Sequence, residues 1–321
     1  MSEIFFSELG IPHPDINLGI GGTSHGRMTG EMLASIERDL SENTPDMVIV
    51  YGDTNSTLAG ALAAAKMNLR VAHIEAGLRS YDRRMPEEVN RVLTDHLSSL
   101  LLCPTVTAAE NLRAEGMPGP RSNAQVAVVG DVMLDAALRF EGLALSRPRQ
   151  STACGRLGIA GGFALLTLHR AENTDDIERL ATIIGTVSAM SGITFVFPVH
   201  PRTRKLIEGS GLRIGANIRS IDPVGYLDMI ELERECDFVV TDSGGVQKEA
   251  YFFKKSCITL RDATEWVETV SARANVLVGA DGERIREAIL RPPSPSEWPA
   301  LFGDGNAGEL ILDEIRKAAL P

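Results

Sequence analysis

Three acids in the first ninety residues have the type and spacing for proton transfer. Asp53 follows the apolar run Met47–Tyr51, Glu75 follows a second apolar run at 71–74, and Glu87 follows Pro86 at a helix start. If the two runs are strands of one βαβ unit, they run parallel and end on the same rim. Open α/β sheets take their ligands at that rim. Burial and mutual repulsion separate the pKa values of clustered carboxyls, leaving one acid and one base near neutral pH. Plainer roles exist for some of these residues. An acid such as Glu87 or Glu88 stabilises a helix N-terminus, and Glu87 is spaced i, i+4 from Arg91 for simple pairing. Arg79, Arg83 and Arg84 offer charge to a diphosphate or carboxylate, or are merely solvated.

The second half carries a different pattern. His169-Arg170 closes the run FALLTLH, and His200 closes TFVFPVH two residues before Arg202. Paired His and Arg at strand ends suit pyrophosphate and base contacts. In TDSGGVQKE, at 241–249, an apolar strand meets a Ser-Gly-Gly turn and a helix. The free N–H groups of such a helix start favour an anion, and Gly244 and Gly245 let backbone approach it closely. Glu249, about one turn in, is placed for ribose hydroxyls. The same residues also read as an ordinary strand–turn–helix with Ser243 as N-cap. His73 lies inside an apolar strand and reads as a hydrogen-bonded core residue. Gly19-Ile-Gly-Gly-Thr-Ser24 lacks the third glycine of a dinucleotide loop and reads as a substrate-facing loop.

The elements that must position these residues alternate strand and helix, the pattern of parallel sheets. Further strands fit 99–103, 126–129, 163–168, 194–199, 218–221, 238–241, 257–260 and 276–278. Helices fit 2–9, 28–40, 54–66, 107–115, 175–190, 202–208, 225–234, 245–253, 281–290 and 307–319. The stretch SRPRQSTACGR, at 146–156, breaks the pattern and reads as a linker. The expected organisation is therefore α/β, with two Rossmann-like domains facing a cleft. The first occupies 1–150 and is joined by the C-terminal helix 307–321; the second occupies 151–306. The first has four strands against six, and a doubly wound sheet lacking its initial strands would expose an apolar edge or face.

Composition narrows the classes. With 44% hydrophobic and 23% charged residues, the 321-residue chain can build packed cores. A net charge of −11 argues against nucleic acid or an anionic membrane as the main partner. Cys103, Cys154, Cys236 and Cys257 form no CxxC or Cys/His cluster, so buried thiols in a reducing, cytoplasmic compartment are expected, with no metal site. No signal peptide or membrane-spanning run is present.

Seven co-linear motifs carry a resemblance: GDTNST (52–57), HIEAGLRS (73–80), PEEVNR (86–91), LHRAEN (168–173), PVHPR (198–202), TDSGGVQKEA (241–250) and GDGNA (303–307). Over essentially its whole length the chain resembles the non-hydrolysing UDP-N-acetylglucosamine 2-epimerases. The resemblance implies a glycosyltransferase-B arrangement, a homodimer, and no redox cofactor. It implies interconversion of UDP-N-acetylglucosamine and UDP-N-acetylmannosamine for cell-surface polysaccharide precursors. Such enzymes expel UDP to a 2-acetamidoglucal and add it back after the face is inverted. By motif position, Asp53, Glu75 and Glu87 become the acid/base candidates. Arg91 and His169 would orient and stabilise the leaving diphosphate, and Arg170, His200, Tyr226, Ser243, Gly244, Gly245 and Glu249 would hold UDP.

Two departures modify this. Family chains begin with a strand leading into Gly-Thr/Ala-Arg-Pro, a following lysine, and a second strand with Gly-Gln-His; Met1 here coincides with the later MSxxFFxxLGI helix. The resemblance thus implies an N-terminally truncated first domain and a chain poorly active by itself. Where typical members have Thr-Glu-Arg-Pro-Glu, this chain has Thr264-Glu265-Trp266-Val267-Glu268. That loop resembles the branch containing UDP-2,3-diacetamido-2,3-dideoxyglucuronate 2-epimerases, the alternative substrate reading. A glycosyltransferase on the same frame, a hydrolysing epimerase, and an inactive UDP-sugar-binding remnant are the competing functions.

Overall fold

A computed structural model describes residues 6, 8–119, 124–159 and 161–319. The helix expected over 2–9 lies largely outside the described residues. The chain divides into two compact units: His13–Asp135 with Ala300–Pro321, and Met1–Pro12 with Ala136–Pro299. No helix among the described residues is long and apolar enough to cross a membrane.

The first unit is built on four parallel strands in sequence order, β1 (Met47–Tyr51), β2 (Arg70–Ile74), β3 (Leu100–Cys103) and β4 (Gln125–Val128). β3 is buried along its whole length, as its unbroken leucine run demands of a parallel strand covered on both faces. β1 forms one edge, and there Ile49 and Tyr51 stay 52% and 44% exposed. The two side chains, two residues apart, share one face of the edge strand and leave it apolar and exposed. The Ala-rich helix Asn55–Lys66 lies close to the sheet: a Cβ added at Gly60 would come within 3.2 Å of Val50. Thr54 caps it, exchanging hydrogen bonds with Thr57. The helix Ala307–Ala319 brings Ile311 and Ala318 into the core of this unit with Leu100 and Leu102.

The second unit has six parallel strands in the order β10-β9-β8-β5-β6-β7: β5 (Ala164–Thr167), β6 (Phe195–Pro198), β7 (Ile218–Ile221), β8 (Phe238–Thr241), β9 (Ser256–Thr259) and β10 (Asn275–Leu277). β5 and β8 are central and fully buried. Connections run outward from β5 through β6 to β7, and from β8 through β9 to β10. The strand order therefore reverses between β5 and β8.

Two features differ from the sequence expectation, and a third lies beyond it. The division between units falls at Asp135/Ala136, inside the helix Val132–Ser146, rather than near 150. Phe140 and Ala144 of that helix pack on Leu227 and Ile230, which ties the stretch to the six-stranded unit. The linker expected at 146–156 is instead packed structure, with a short helix at Ala153–Leu157 capped by Thr152, and Ala153 and Cys154 buried. The helix Pro86–Leu97 is inverted in polarity. It buries Glu88, Asn90, Arg91, Thr94 and Asp95 and exposes Val89 and Leu93 at 42% and 46%.

Candidate active site

In the four-stranded unit, Asp53 and Glu75 stand at the carboxyl ends of β1 and β2, which pair in register from Met47↔Arg70 to Tyr51↔Ile74. A Cβ added at Gly52 would lie 3.4 Å from Glu75 Oε2, so the Glu75 carboxyl reaches the end of β1. Glu75 itself has a φ of +71°, a left-handed conformation that costs a glutamate energy. Strain of this kind is held in place only where surrounding contacts over-determine it.

Those contacts come from the inverted helix. Buried Asp95 accepts hydrogen bonds from Gly77 N (3.2 Å) and Arg79 Nη1 (2.7 Å), and its other oxygen lies 2.7 Å from His73 Nδ1. His73 Nε2 is in turn 2.8 Å from the Gly52 carbonyl. One carboxylate thus grips the Glu75 turn from before and after. Burial alone would raise the Asp95 carboxyl, but His73 and Arg79 hold it below its ordinary value. Arg79 is fully engaged, bidentate to Glu115 at 2.7 Å through Nε and Nη2. It is 3% exposed, which corrects the expectation of a solvated or substrate-facing arginine. Arg84 pairs with Asp82 at the surface.

Arg91 joins the acids. Its Nη2 donates to Asp53 Oδ2 and its Nη1 to Glu88 Oε2, both at 2.5 Å. Asn90 Nδ2 adds a bond to the Asp53 carbonyl at 2.9 Å. Glu88 also accepts from Ser80 N, Ser80 Oγ and Tyr81 N at 2.9–3.0 Å. Burial pushes its carboxyl up, but these N–H donors and the Arg91 charge outweigh it and hold the group low. Glu88 is buried, while its neighbour Glu87 is half-buried. Of the adjacent glutamates, therefore, Glu88 is structural and Glu87 is the one with access to solvent.

In the six-stranded unit, His169-Arg170 follows β5 and Asp242-Ser243-Gly244 follows β8, on either side of the reversal in strand order. Ligands of open α/β sheets bind at such a switch point. Asp242, fully buried, accepts from His169 N (3.1 Å) and Arg170 N (3.0 Å), locking one loop to the other. His169 Nδ1 lies 3.5 Å from Asp242 Oδ1, and its ring centroid 6.4 Å from that of His200. Burial lowers the His169 pKa most, Arg170 and His200 lower it further, and Asp242 opposes them.

Ser243 is the N-cap of the helix Gly244–Phe252, accepting from Val246 N. A Cβ at Gly244 would come within 2.6 Å of Glu265 Oε1 and 3.7 Å of Arg170 Nη2, so only glycine fits between those groups. The Thr264–Glu268 loop thus lines the Ser-Gly-Gly turn; Arg261 Nη1 holds Glu265 at 3.0 Å, and Lys248 Nζ sits 4.1 Å from the Trp266 ring centroid. Tyr226 stands after the edge strand β7, its ring edge-on to Phe140 at 5.8 Å and its N–H bound to Glu8. Its ring is engaged in packing rather than grouped with the Ser-Gly-Gly turn.

Residues 1–316 match the family profile described as UDP-N-acetylglucosamine 2-epimerase. The chain belongs to that family. Among similar proteins is the UDP-2,3-diacetamido-2,3-dideoxy-D-glucuronate 2-epimerase of Pseudomonas aeruginosa, 50% identical, with 99% of this chain and 88% of the relative covered. A UDP-N-acetylglucosamine 2-epimerase homolog from Methanococcus maripaludis is also 50% identical, over 98% of this chain and 88% of the relative. The crystal structure of Methanocaldococcus jannaschii UDP-GlcNAc 2-epimerase with UDP-GlcNAc and UDP matches with a TM-score of 0.91 at 43% identity, covering 99% of this chain and 88% of that one.

As a member of the 2-epimerase family, the chain has an α/β architecture with parallel sheets. Sequence reasoning missed the buried residues that hold the epimerase's candidate acids and loops: Glu88, Asp95 and Asp242. A signal existed for the first two. Glu88, Arg91 and Asp95 recur at helical spacing on one face of a helix already carrying a candidate acid. Elsewhere, Cys154, Glu231 and Glu235 bring ligand atoms within 4.8 Å of one another, but Arg149 lies against both carboxylates and supplies the positive charge.

Proposed function

We propose that this chain inverts C2 of a UDP-linked 2-acetamido sugar, converting UDP-N-acetylglucosamine to UDP-N-acetylmannosamine. Its membership in the epimerase family supports the reaction class. The convergence of Asp53, Glu75 and Arg91 on one sheet rim carries the mechanism. The sugar C2–H is not acidic, so direct removal of the proton is too costly. A base takes it as the C1–O bond to UDP breaks, leaving a 2-acetamidoglucal and UDP. Return of a proton to the opposite face of C2, with re-formation of the C1–O bond, yields the epimer.

Asp53, Glu75 and Glu87 divide the base and acid roles. Arg91, buried between Asp53 and Glu88, fixes the Asp53 carboxylate. His169, just after β5 and beside Arg170 and His200, suits hydrogen bonding to the diphosphate. Arg170, His200 and the Ser243-Gly244-Gly245 turn bind UDP, with Glu249 on the ribose. UDP must stay bound between the two half-reactions, since its return completes the epimer.

The test is solvent-deuterium incorporation at C2 in Asp53→Asn and Glu75→Gln. Loss of exchange in at least one is expected; full exchange in both would sink the acid/base assignment.

One observation favours the second substrate. The 50%-identical Pseudomonas aeruginosa relative bears the diacetamido-glucuronate name. Turnover of both UDP-sugars in parallel decides between them. A homodimer in the cytoplasm completes the reading. The exposed Val89 and Leu93 support an interface, and four free, buried cysteines support a reducing compartment. Light scattering on Leu93→Asp tests the dimer.

A further inference from the structure

Glu233 lies on the helix Tyr226–Glu235 and is 0% exposed, yet neither carboxyl oxygen has a hydrogen-bond donor among the described residues. Its flanking residues Leu232 and Cys236 share one apolar core with Val246 and Ala250 of the helix Gly244–Phe252. These two helices pack on each other, and Glu233 interacts across them with Glu249, itself 5% exposed. Among the described residues, Glu233 also acts on the buried thiols of Cys236, just after its own helix, and Cys257 on β9, neither of them cationic. Two ionised carboxylates cannot share such a site without a counter-charge, because like charges in low dielectric force one to keep its proton. Burial, then the charge of Glu249, drives the Glu233 carboxyl well above the ordinary range.

We propose that Glu233 is a neutral carboxylic acid that donates its O–H to the Glu249 carboxylate, and so positions Glu249 for the ribose hydroxyls of the nucleotide. Glu233 is a positioning residue, remote from the reacting atoms. The second half of the proposal rests on Glu249 binding UDP, as inferred above. A donor from Glu233 keeps Glu249 charged and in one orientation, as acceptance from a diol requires. An apolar residue at 233 would leave the carboxylate buried without its donor, and an amide would restore it.

The experiment compares the full-length wild type with Glu233→Gln and Glu233→Leu. Infrared difference spectra at neutral pH are expected to contain a protonated-carboxyl C=O band in the wild type that is absent from Glu233→Gln. Calorimetric titration with UDP is expected to give a Kd within about threefold of wild type for Glu233→Gln, and at least tenfold weaker for Glu233→Leu. With UDP-sugar as substrate, the Glu233→Leu effect falls on KM rather than kcat. No such band, or a Glu233→Gln as damaging as Glu233→Leu, overturns the proposal. If Glu233→Leu does not fold, the infrared comparison decides alone. Failure of the wild type to bind UDP would overturn the nucleotide reading, and with it the positioning role, whatever the infrared result.

Discussion

The guanidinium of Arg91 meets the carboxylate of Asp53 at 2.5 Å, with the arginine side chain only 3% exposed. The same arginine binds Glu88 from its other terminal nitrogen. A candidate catalytic acid is thereby fixed by a cation that is itself fixed, and neither can rotate away without stranding the other's charge.

Arg91→Met should be among the most damaging single changes in the four-stranded unit. Removing one partner of a buried ion pair costs about 3–5 kcal/mol, because the remaining charge is left uncompensated. The lower end is expected here, since Asp53 is partly solvated and Glu88 keeps its hydrogen bonds from Ser80 and Tyr81. Adding Glu88→Gln to Arg91→Met should recover part of the loss. Urea unfolding of the single and double variants measures it; equal stability of the two would remove the Arg91–Glu88 pair from this account.

Asp95→Asn addresses the turn that carries Glu75. The amide cannot accept from His73, Gly77 and Arg79 together, so the strained φ of Glu75 loses its anchors. At least a tenfold fall in kcat is expected with UDP affinity unchanged, since UDP is assigned to the other unit. The pH signature is specific. Asp95 is held below its ordinary value, so its stabilisation is complete above about pH 4 and is lost as pH falls through the folded value. The Asn variant should lack that acid-side loss in unfolding experiments; an unchanged acid limb would speak against it.

What the sequence made legible follows from what each residue reports about itself. β5 and β8 are unbroken apolar runs ending in chemistry-bearing residues, and in parallel sheets such runs are central strands. His169, Ser243 and Gly244 were therefore readable as rim residues. The helix Pro86–Leu97 was not readable in the same way. Its apolar residues Val89 and Leu93 face outward, and its buried face is made of Glu88, Arg91 and Asp95, so hydrophobic periodicity points to the wrong side. Arg79 was misjudged for the same reason: a buried arginine is intelligible only with Asp95 and Glu115, which lie 16 and 36 residues away. The helix at Ala153–Leu157 hid behind Pro, Ser and Gly that usually mark loops, because Thr152 turns that composition into a capped start.

Gly244→Ala probes the nucleotide rim without touching a charge. The new methyl would fall 2.6 Å from Glu265 Oε1, and Glu265 is held in place by Arg261. The loop must shift by several tenths of an ångström or more. UDP affinity should weaken at least tenfold while stability changes by about 1–3 kcal/mol, the usual cost of overpacking. Titration with UDP alongside thermal unfolding checks both; wild-type affinity would show that the close approach at Gly244 plays no part in binding.

Glu233→Gln should change how stability depends on pH, and the sign follows from the direction of the shift. Glu233 keeps its proton in the folded state well above the value of about 4.3 at which an unfolded glutamate loses it. Between those two values the native state binds one more proton than the unfolded state. Rising pH therefore destabilises the wild type, by about 1.4 kcal/mol per pH unit from this group while the window lasts. Glutamine has no proton to lose and removes the slope. Unfolding free energies measured as pH rises from about 5 should show the variant gaining on the wild type. A constant difference across that range would mean that Glu233 titrates alike in both states, which its complete burial against Glu249 does not allow.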